Sequence, residues 1–249
     1  MHLSLKCVPP ALSFVGKYLL ATGKMSYSLE LGFCSTHVQC NRQARIILNR
    51  DGYRAEAALL ERFARQLDFG ACWADSGWSC VHHYYDPGRD AGLLGRAPST
   101  VLCRRYFQRA LIHWRAGHYR RAMFFLGAAG HLVQDAWEPH HASCRVGAGH
   151  SSYERWVQQN RRRYLAGCKG LYWGFGDAAD WVKAAACQGR ELFGLVGGPP
   201  DAGNYHLATN CLLPLAQQST AGFFLLFLEL VGFTGEFGDR LLQIIGAAA

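Results

Sequence analysis

The stretch from Tyr119 to Trp137, YRRAMFFLGAAGHLVQDAW, constrains the fold more than any other part of the chain. Beyond Arg121 it is apolar almost all round. That is the pattern of a helix enclosed by other helices, not of one lying on a surface. The polar residues on its buried face are His131 and Asp135, four positions apart. On a helix that spacing puts both side chains on one face, about one turn apart. Polar groups in such a place need partners, and a metal ion is a good one.

The rest of the chain reads as further helices around this one. Residues 41–69 have apolar positions at helical spacing, with a break near Asp51 and Gly52. Residues 70–98, rich in Gly, aromatics and Asp, read as a long structured loop. A helix over 99–117 has Ser99 as a candidate N-cap. Residues 145–149 form a loop, and helices follow over 150–165, 177–195 and 204–232. Gly197-Gly198-Pro199-Pro200 is a turn. No repeats, no low-complexity tract and little β alternation appear. The expectation is an all-α, single-domain multi-helix bundle.

Length, 249 residues, allows an ample buried core, and 50% hydrophobic residues exclude a disordered chain. The net charge of +8 favours anionic partners without choosing between phospholipid headgroups and nucleic acid. Ten cysteines contain no CxxC. Cys34 with Cys40, or Cys72 with Cys80, are candidate local disulfides in an oxidising compartment, and free buried thiols are the alternative. Residues 1–24 resemble a leader only loosely, since Pro9, Pro10 and Lys17 interrupt the apolar stretch and no clean cleavage site follows. A degraded leader and a misassigned start are both open. The longest apolar run, 212–233, contains Gln217, Gln218 and Glu229, so it reads as a buried core helix and no transmembrane segment is expected.

Residues 130–154 are dense in chemistry. His131 and Asp135 form an HxxxD pair, His150 and Glu154 an HxxxE pair, and Pro139 and His141 lie between. Imidazoles and carboxylates suit a zinc-like ion, and two such pairs point to more than one ion. A helix bundle with such residues in its core is a recurring way to build a metal site.

At this point the sequence resembles the bacterial zinc-dependent phospholipase C family. His131 to His141 is similar to that family's HxxxDxxxPxH signature, and His150 to Glu154 to its HxxxE. His83-Tyr84-Tyr85-Asp86-Pro87 resembles its HFYDP segment, and Gly70-Ala71 with Asp75 its GA…D element. Thr36-His37 resembles the early TH motif. Leu213-Pro214-Leu215-Ala216 with Thr220-Ala221-Gly222 resembles the C-terminal helix of shorter members. The resemblance covers residues 31–232, leaving 233–249 as a tail. It implies a polynuclear site of two to three Zn2+ ions. One would be held by Asp75, His83, His131 and Asp135, a second by His141, His150 and Glu154, and a third by His37 with Asp135 bridging. In the family a mature N-terminal Trp completes the third. Here no Trp precedes Trp73, so either another residue upstream of His37 takes its place or the third ion is weak or absent. Asp68 is the rival of Asp75.

The resemblance also implies the chemistry: a zinc-dependent phosphodiester hydrolase, in particular a phospholipase C that releases diacylglycerol and a phosphorylated headgroup. Asp75 would be the general base or water-orienting residue. The expected partner is phospholipid at a membrane surface, nucleic acid being the weaker candidate, and the expected location is extracytoplasmic, secreted or periplasmic. A zinc-dependent single-strand nuclease or 3'-nucleotidase is the nearest rival, disfavoured by the short gap between His141 and His150 and by Glu154 as the terminal carboxylate. A non-catalytic metal-binding homologue is the rival of another class. Serine-hydrolase and nucleotide-triphosphatase readings have no support, because no GxSxG, Walker loop or dinucleotide fingerprint occurs. His82 and His140 read as neighbours of the ligands, and Asp86 and Glu138 as candidate supports for them. His113, His118 and His206 read as ordinary helix histidines. Among the aromatics Trp73, Trp78, Tyr84, Tyr85 and Trp137, the two tyrosines are the best candidates to line the site.

Overall fold

The computed structural model describes residues 34–76, 81–147 and 149–233. Expectations for the leader, for Trp78 and for Cys80 fall outside them. Among the described residues the fold is all-α, with one isolated antiparallel bridge, Asp86 with Ala91.

Helix α1 spans Ser35–Arg50, α2 Arg54–Arg62 and α3 Ala64–Ala74. The break expected near Asp51 is present, where Gly52 takes φ +100°, a conformation that costs glycine little. Helices α4 (Ser99–Arg115) and α5 (Tyr119–Asp135) follow, then the short α6 (Pro139–Ala142) and α7 (His150–Asn160). Ser99 is the first helical residue rather than the N-cap, which is Pro98. Helix α7 ends five residues earlier than 165, giving way to a single 3-10 turn over Arg161–Arg163. Helices α8 (Ala178–Gly189), α9 (Phe193–Val196) and α10 (Ala202–Leu230) complete the bundle. Asp177 caps α8 and Asp201 caps α10, each accepting a backbone N–H that the helix leaves unpaired.

Helix α5 is central, packed by α3, α4, α8, α10 and α1. From Ala122 to Asp135 every residue is buried, as its apolar circumference requires. The one substantial correction concerns residues 70–74, expected in a loop but forming the last turns of α3. Gly70 there marks a close helix contact, not a turn. A Cβ at Gly70 would collide with the backbone of Phe124, and one at Gly127 with that of Leu67, so α3 and α5 touch backbone to backbone.

Helix α10 is long and apolar enough to cross a membrane, but 72% of its most apolar window is buried within the protein. It packs on α1 and α5 as a core helix. Its Pro214 removes the donor to the carbonyl of Asn210, a residue on the exposed side of the helix. Phe233, just beyond it, is fully buried in the main core.

Candidate metal centre

Helix α5 delivers His131 and Asp135 to one face, as their spacing requires. Asp135 is the hub. Its Oδ2 lies 3.0 Å from His131 Nε2, 2.9 Å from His83 Nδ1 and 3.3 Å from His141 Nδ1. Its Oδ1 lies 3.4 Å from His37 Nε2, on the first turn of α1. His131 Nε2 and His83 Nδ1 approach to 3.2 Å. Asp75, the exposed C-cap of α3, brings a carboxylate oxygen within 4.8 Å of the His83 and His131 nitrogens.

A second group stands beside the first. His141 Nε2 and His150 Nε2 are 3.1 Å apart. Glu154, one turn along α7 from His150, places Oε1 3.0 Å from His150 and 3.5 Å from His141. His141 therefore spans both groups, Nδ1 toward Asp135 and Nε2 toward His150 and Glu154. All the residues expected to bind metal thus converge in one region.

The donor set fits zinc. Around a tetrahedral ion with donors at roughly 2.0–2.1 Å, the donors lie about 3.3 Å from one another. Apart from those of Asp75, the separations above run from 2.9 to 3.5 Å. Asp135 Oδ2 and His141 Nδ1 are buried yet lack a well-formed hydrogen bond among the described residues. The carboxylates and His37 hold the charge states that suit a cation; at His141 burial opposes the charge, but Asp135 and Glu154 raise the imidazole well above its usual value, so a cation there would displace a proton. Burial opposes the charge of Asp135, yet His131 and His141 beside it hold its carboxyl well below the usual range. Burial also opposes ionisation of Glu154, but hydrogen bonds from His141 and His150 keep its carboxyl low. Burial, with the neighbouring His131, lowers His37 and leaves the neutral imidazole that a metal needs.

The comparison that decides the family is a match to the profile described as zinc-dependent phospholipase C, over residues 36–188. The match takes in His37, Asp75, His83 and everything through Glu154, and covers more than half of the chain. The chain belongs to the zinc-dependent phospholipase C family. It is 29% identical to a phospholipase C of Listeria monocytogenes over 147 residues, 53% of this chain and 51% of the relative. It is 22% identical to a phospholipase C of Clostridium perfringens over 232 residues, 78% of this chain and 58% of the relative. The chain thus spans a little over half the length of these curated relatives. Its fold is similar to that of Clostridium perfringens alpha-toxin, with a TM-score of 0.70 at 20% identity, covering 81% of this chain and 65% of that one. Clostridium absonum alpha toxin gives the same TM-score and identity over 79% of this chain and 63% of that one.

Within this zinc-dependent phospholipase C fold, Asp68 is not part of the cluster. Its Oδ1 accepts from Asn41 Nδ2 at 3.1 Å, and Arg45 lies 4.0 Å away. Asp86 does not support the histidines either, since it pairs with Arg89 and Arg190 and accepts from Gly88 N–H. Glu138 does. Its Oε1 holds His140 Nδ1 at 2.7 Å, and its Oε2 caps α6 by accepting His141 N–H at 2.7 Å. His140 in turn stacks on His150, with ring centres 4.9 Å apart. The cap explains why Glu138 precedes Pro139: an N-cap acceptor followed by proline starts a helix and fixes His141 on it. Glu138 also lies close enough to His141 and His150 to share an ion with them.

The tyrosines are corrected. Tyr84 is buried behind His141, ring to ring at 4.6 Å, and Tyr85 is buried with its hydroxyl donating to Asp90. Neither lines the cavity of about 410 Å³ that opens from the cluster. Trp137 does line it, while Trp73 packs on Tyr106 and Phe124. Cys34 and Cys40 are both free thiols, so that disulfide is not formed, and the thiol of Cys34 shares a hydrogen bond with Cys72 instead. His82 bonds the Ala97 carbonyl, His113 stacks on Phe125, and His206 bonds Tyr164. Gln134 went unrecognised in the sequence, although it neighbours Asp135 on an otherwise apolar helix.

Proposed function

We propose that this chain is a phospholipase C, a zinc-dependent phosphodiester hydrolase that cleaves glycerophospholipids to diacylglycerol and a phosphorylated headgroup. The observation that carries the reading is the Asp135 carboxylate, divided between His37 on one oxygen and His83, His131 and His141 on the other. Asp75, His83, His131 and Asp135 would hold one ion. His141, His150 and Glu154 would hold a second, and His37 with Asp135 a third. Bound there, zinc would supply Lewis acidity toward the phosphoryl oxygens and toward water.

The chain's own residues would do the rest. Asp75 is an exposed carboxylate at the cluster, placed to orient the attacking water and take its proton. The water oxygen bonds to phosphorus as the bond to the glycerol oxygen breaks, and that oxygen leaves as the diacylglycerol hydroxyl with a proton returned from Asp75 or solvent. Glu138 keeps His141 and His140 in place. The cavity lining includes the apolar side chains of Val157, Leu212, Leu213 and Ala216. Those side chains suit the glycerol backbone and the first acyl carbons of a lipid better than a nucleotide. We assign the whole of 31–232 to this domain and place the protein outside the cytoplasm, where its lipid substrate faces the medium.

The test is hydrolysis of a phosphatidylcholine analogue beside single-stranded DNA and a 3'-nucleotide. Chelator-sensitive release of phosphocholine, faster than either nucleic-acid reaction, supports the reading. Preferred release of nucleotides or inorganic phosphate moves the chain to nuclease chemistry. Bound zinc without any phosphodiester turnover makes it a non-catalytic homologue.

A further inference from the structure

Two loops leaving the candidate centre carry apolar side chains into solvent. One follows His83 and runs from Asp86 to Pro98; the other follows α6 and runs from Ser143 to Gly147. They lie side by side. Cys144 Sγ donates to the Ala91 carbonyl at 3.6 Å, Leu93 packs with Tyr84 and Cys144, and a depression of about 570 Å³ is lined by both loops. Tyr84 in turn stacks on His141, so the loops are braced directly against the cluster.

Leu94 on the first loop is 88% exposed and Val146 on the second is 61% exposed. Leu94 also has φ 52° and ψ 36°, a left-handed conformation unusual for a residue with a Cβ. It is disfavoured twice, by its backbone and by the water around its side chain. Strain of this kind persists only where the surrounding structure holds it. The charges around it are predominantly positive. Asp86 is occupied by Arg89 and Arg190, and Asp90 accepts from Tyr85. Arg96 and Arg145 are exposed and have no carboxylate partner among the described residues. Apolar tips with exposed arginines one or two residues away complement an anionic lipid surface, where the tips enter the acyl boundary and the guanidinium groups meet lipid phosphates.

We propose that these two loops dock the protein on an anionic phospholipid membrane, with Leu94 and Val146 as the inserting side chains and Arg96 and Arg145 as the headgroup contacts. The proposal rests on the phospholipase reading for its purpose, but its test does not require turnover. A nucleic acid would engage the arginines and leave the apolar tips in water.

The experiment is cosedimentation of the zinc-loaded full chain with phosphatidylglycerol-containing and pure phosphatidylcholine vesicles, alongside Leu94→Gly, Val146→Ser and Arg145→Gln. Wild type should favour the anionic vesicles. Leu94→Gly should lower its partition about tenfold, consistent with withdrawing one leucine from hydrocarbon. Its melting temperature should be unchanged or higher, since glycine accepts the left-handed backbone. Val146→Ser should give a smaller loss, and hydrolysis of a soluble phosphodiester should be unaffected in both. Absence of wild-type binding, or equal binding by Leu94→Gly and Val146→Ser, overturns the proposal. So does sensitivity to Arg145→Gln alone, which would mean a plain polyanion contact, and so does a Leu94-dependent dimer without vesicles, which would assign the loops to a second copy. Leu94-dependent binding with no phosphodiester hydrolysed would sink the phospholipase reading and leave the docking standing.

Discussion

His37 Nδ1 donates a hydrogen bond of 2.8 Å to Gln134 Oε1. The direction follows from a chain of amides that begins at Asp68. The Asp68 oxygen accepts from Asn41 Nδ2, so Asn41 Oδ1 is left to accept from Gln134 Nε2 at 3.0 Å. Gln134 Nε2 also reaches Thr220 Oγ1 at 3.1 Å, leaving its oxygen for His37. The neutral imidazole then turns a bare Nε2 lone pair toward Asp135 Oδ1, and two acceptors facing each other call for a cation between them.

Gln134→Met should therefore disturb one metal position before it disturbs the fold. It keeps the volume but frees His37 and strands Asn41 and Thr220. A loss of about 1–3 kcal/mol in stability is expected, with zinc affinity at the His37 position falling about 10- to 100-fold. Thermal melting with zinc titration separates the two effects; unchanged zinc binding would remove Gln134 from the account.

Glu154→Gln preserves shape and lowers the charge beside His141 and His150. Part of the zinc should be lost while the helical circular-dichroism spectrum stays the same. Unaltered zinc content and turnover would count against Glu154 as a ligand.

Glu138→Ala should act through position. It removes the cap of α6 and the partner of buried His140, at a cost of about 1–2 kcal/mol from the cap alone. Turnover should fall more than binding of a soluble substrate. Glu138→Gln, which can still accept from His141 N–H, should recover most of the stability. A Glu138→Ala variant as stable and active as wild type would contradict the role.

Asp68 gives the protein a pH-dependent weakness. Burial raises its carboxyl from 3.8 to about 6, against the pull of Arg45 and the Asn41 hydrogen bond. A raised folded-state value means that the protonated form is the favoured one. The contribution is fully present below pH 3.8 and is lost as pH rises through about 6. At pH 8 the ionised group costs up to about 3 kcal/mol. Asp68→Asn should gain stability relative to wild type at pH 8 and gain less at pH 5. Denaturant unfolding at the two values measures it, and an equal difference at both would show that Asp68 does not titrate there.

Much of this was readable in the sequence because helical periodicity ties spacing to direction. His131 with Asp135 and His150 with Glu154 had to share faces, and a helix apolar all round had to be central. Gly70 misled, because a glycine in a tight helix contact and a glycine in a turn look alike until the neighbouring Phe124 backbone is known. Tyr84 and Tyr85 misled for a similar reason: adjacency to His83 says nothing of which side of the imidazole layer they occupy. The amide chain through Gln134 and Asn41 was invisible, since 93 residues separate its members and no local pattern marks them.

The most direct test of the metal centre is zinc per chain in purified wild type and in Asp135→Ala, measured by elemental analysis. The account predicts two or three zinc ions in wild type and loss of most of them in Asp135→Ala, with His131→Ala less severe. Wild-type protein without zinc, or an Asp135→Ala variant that keeps its full complement, would contradict it.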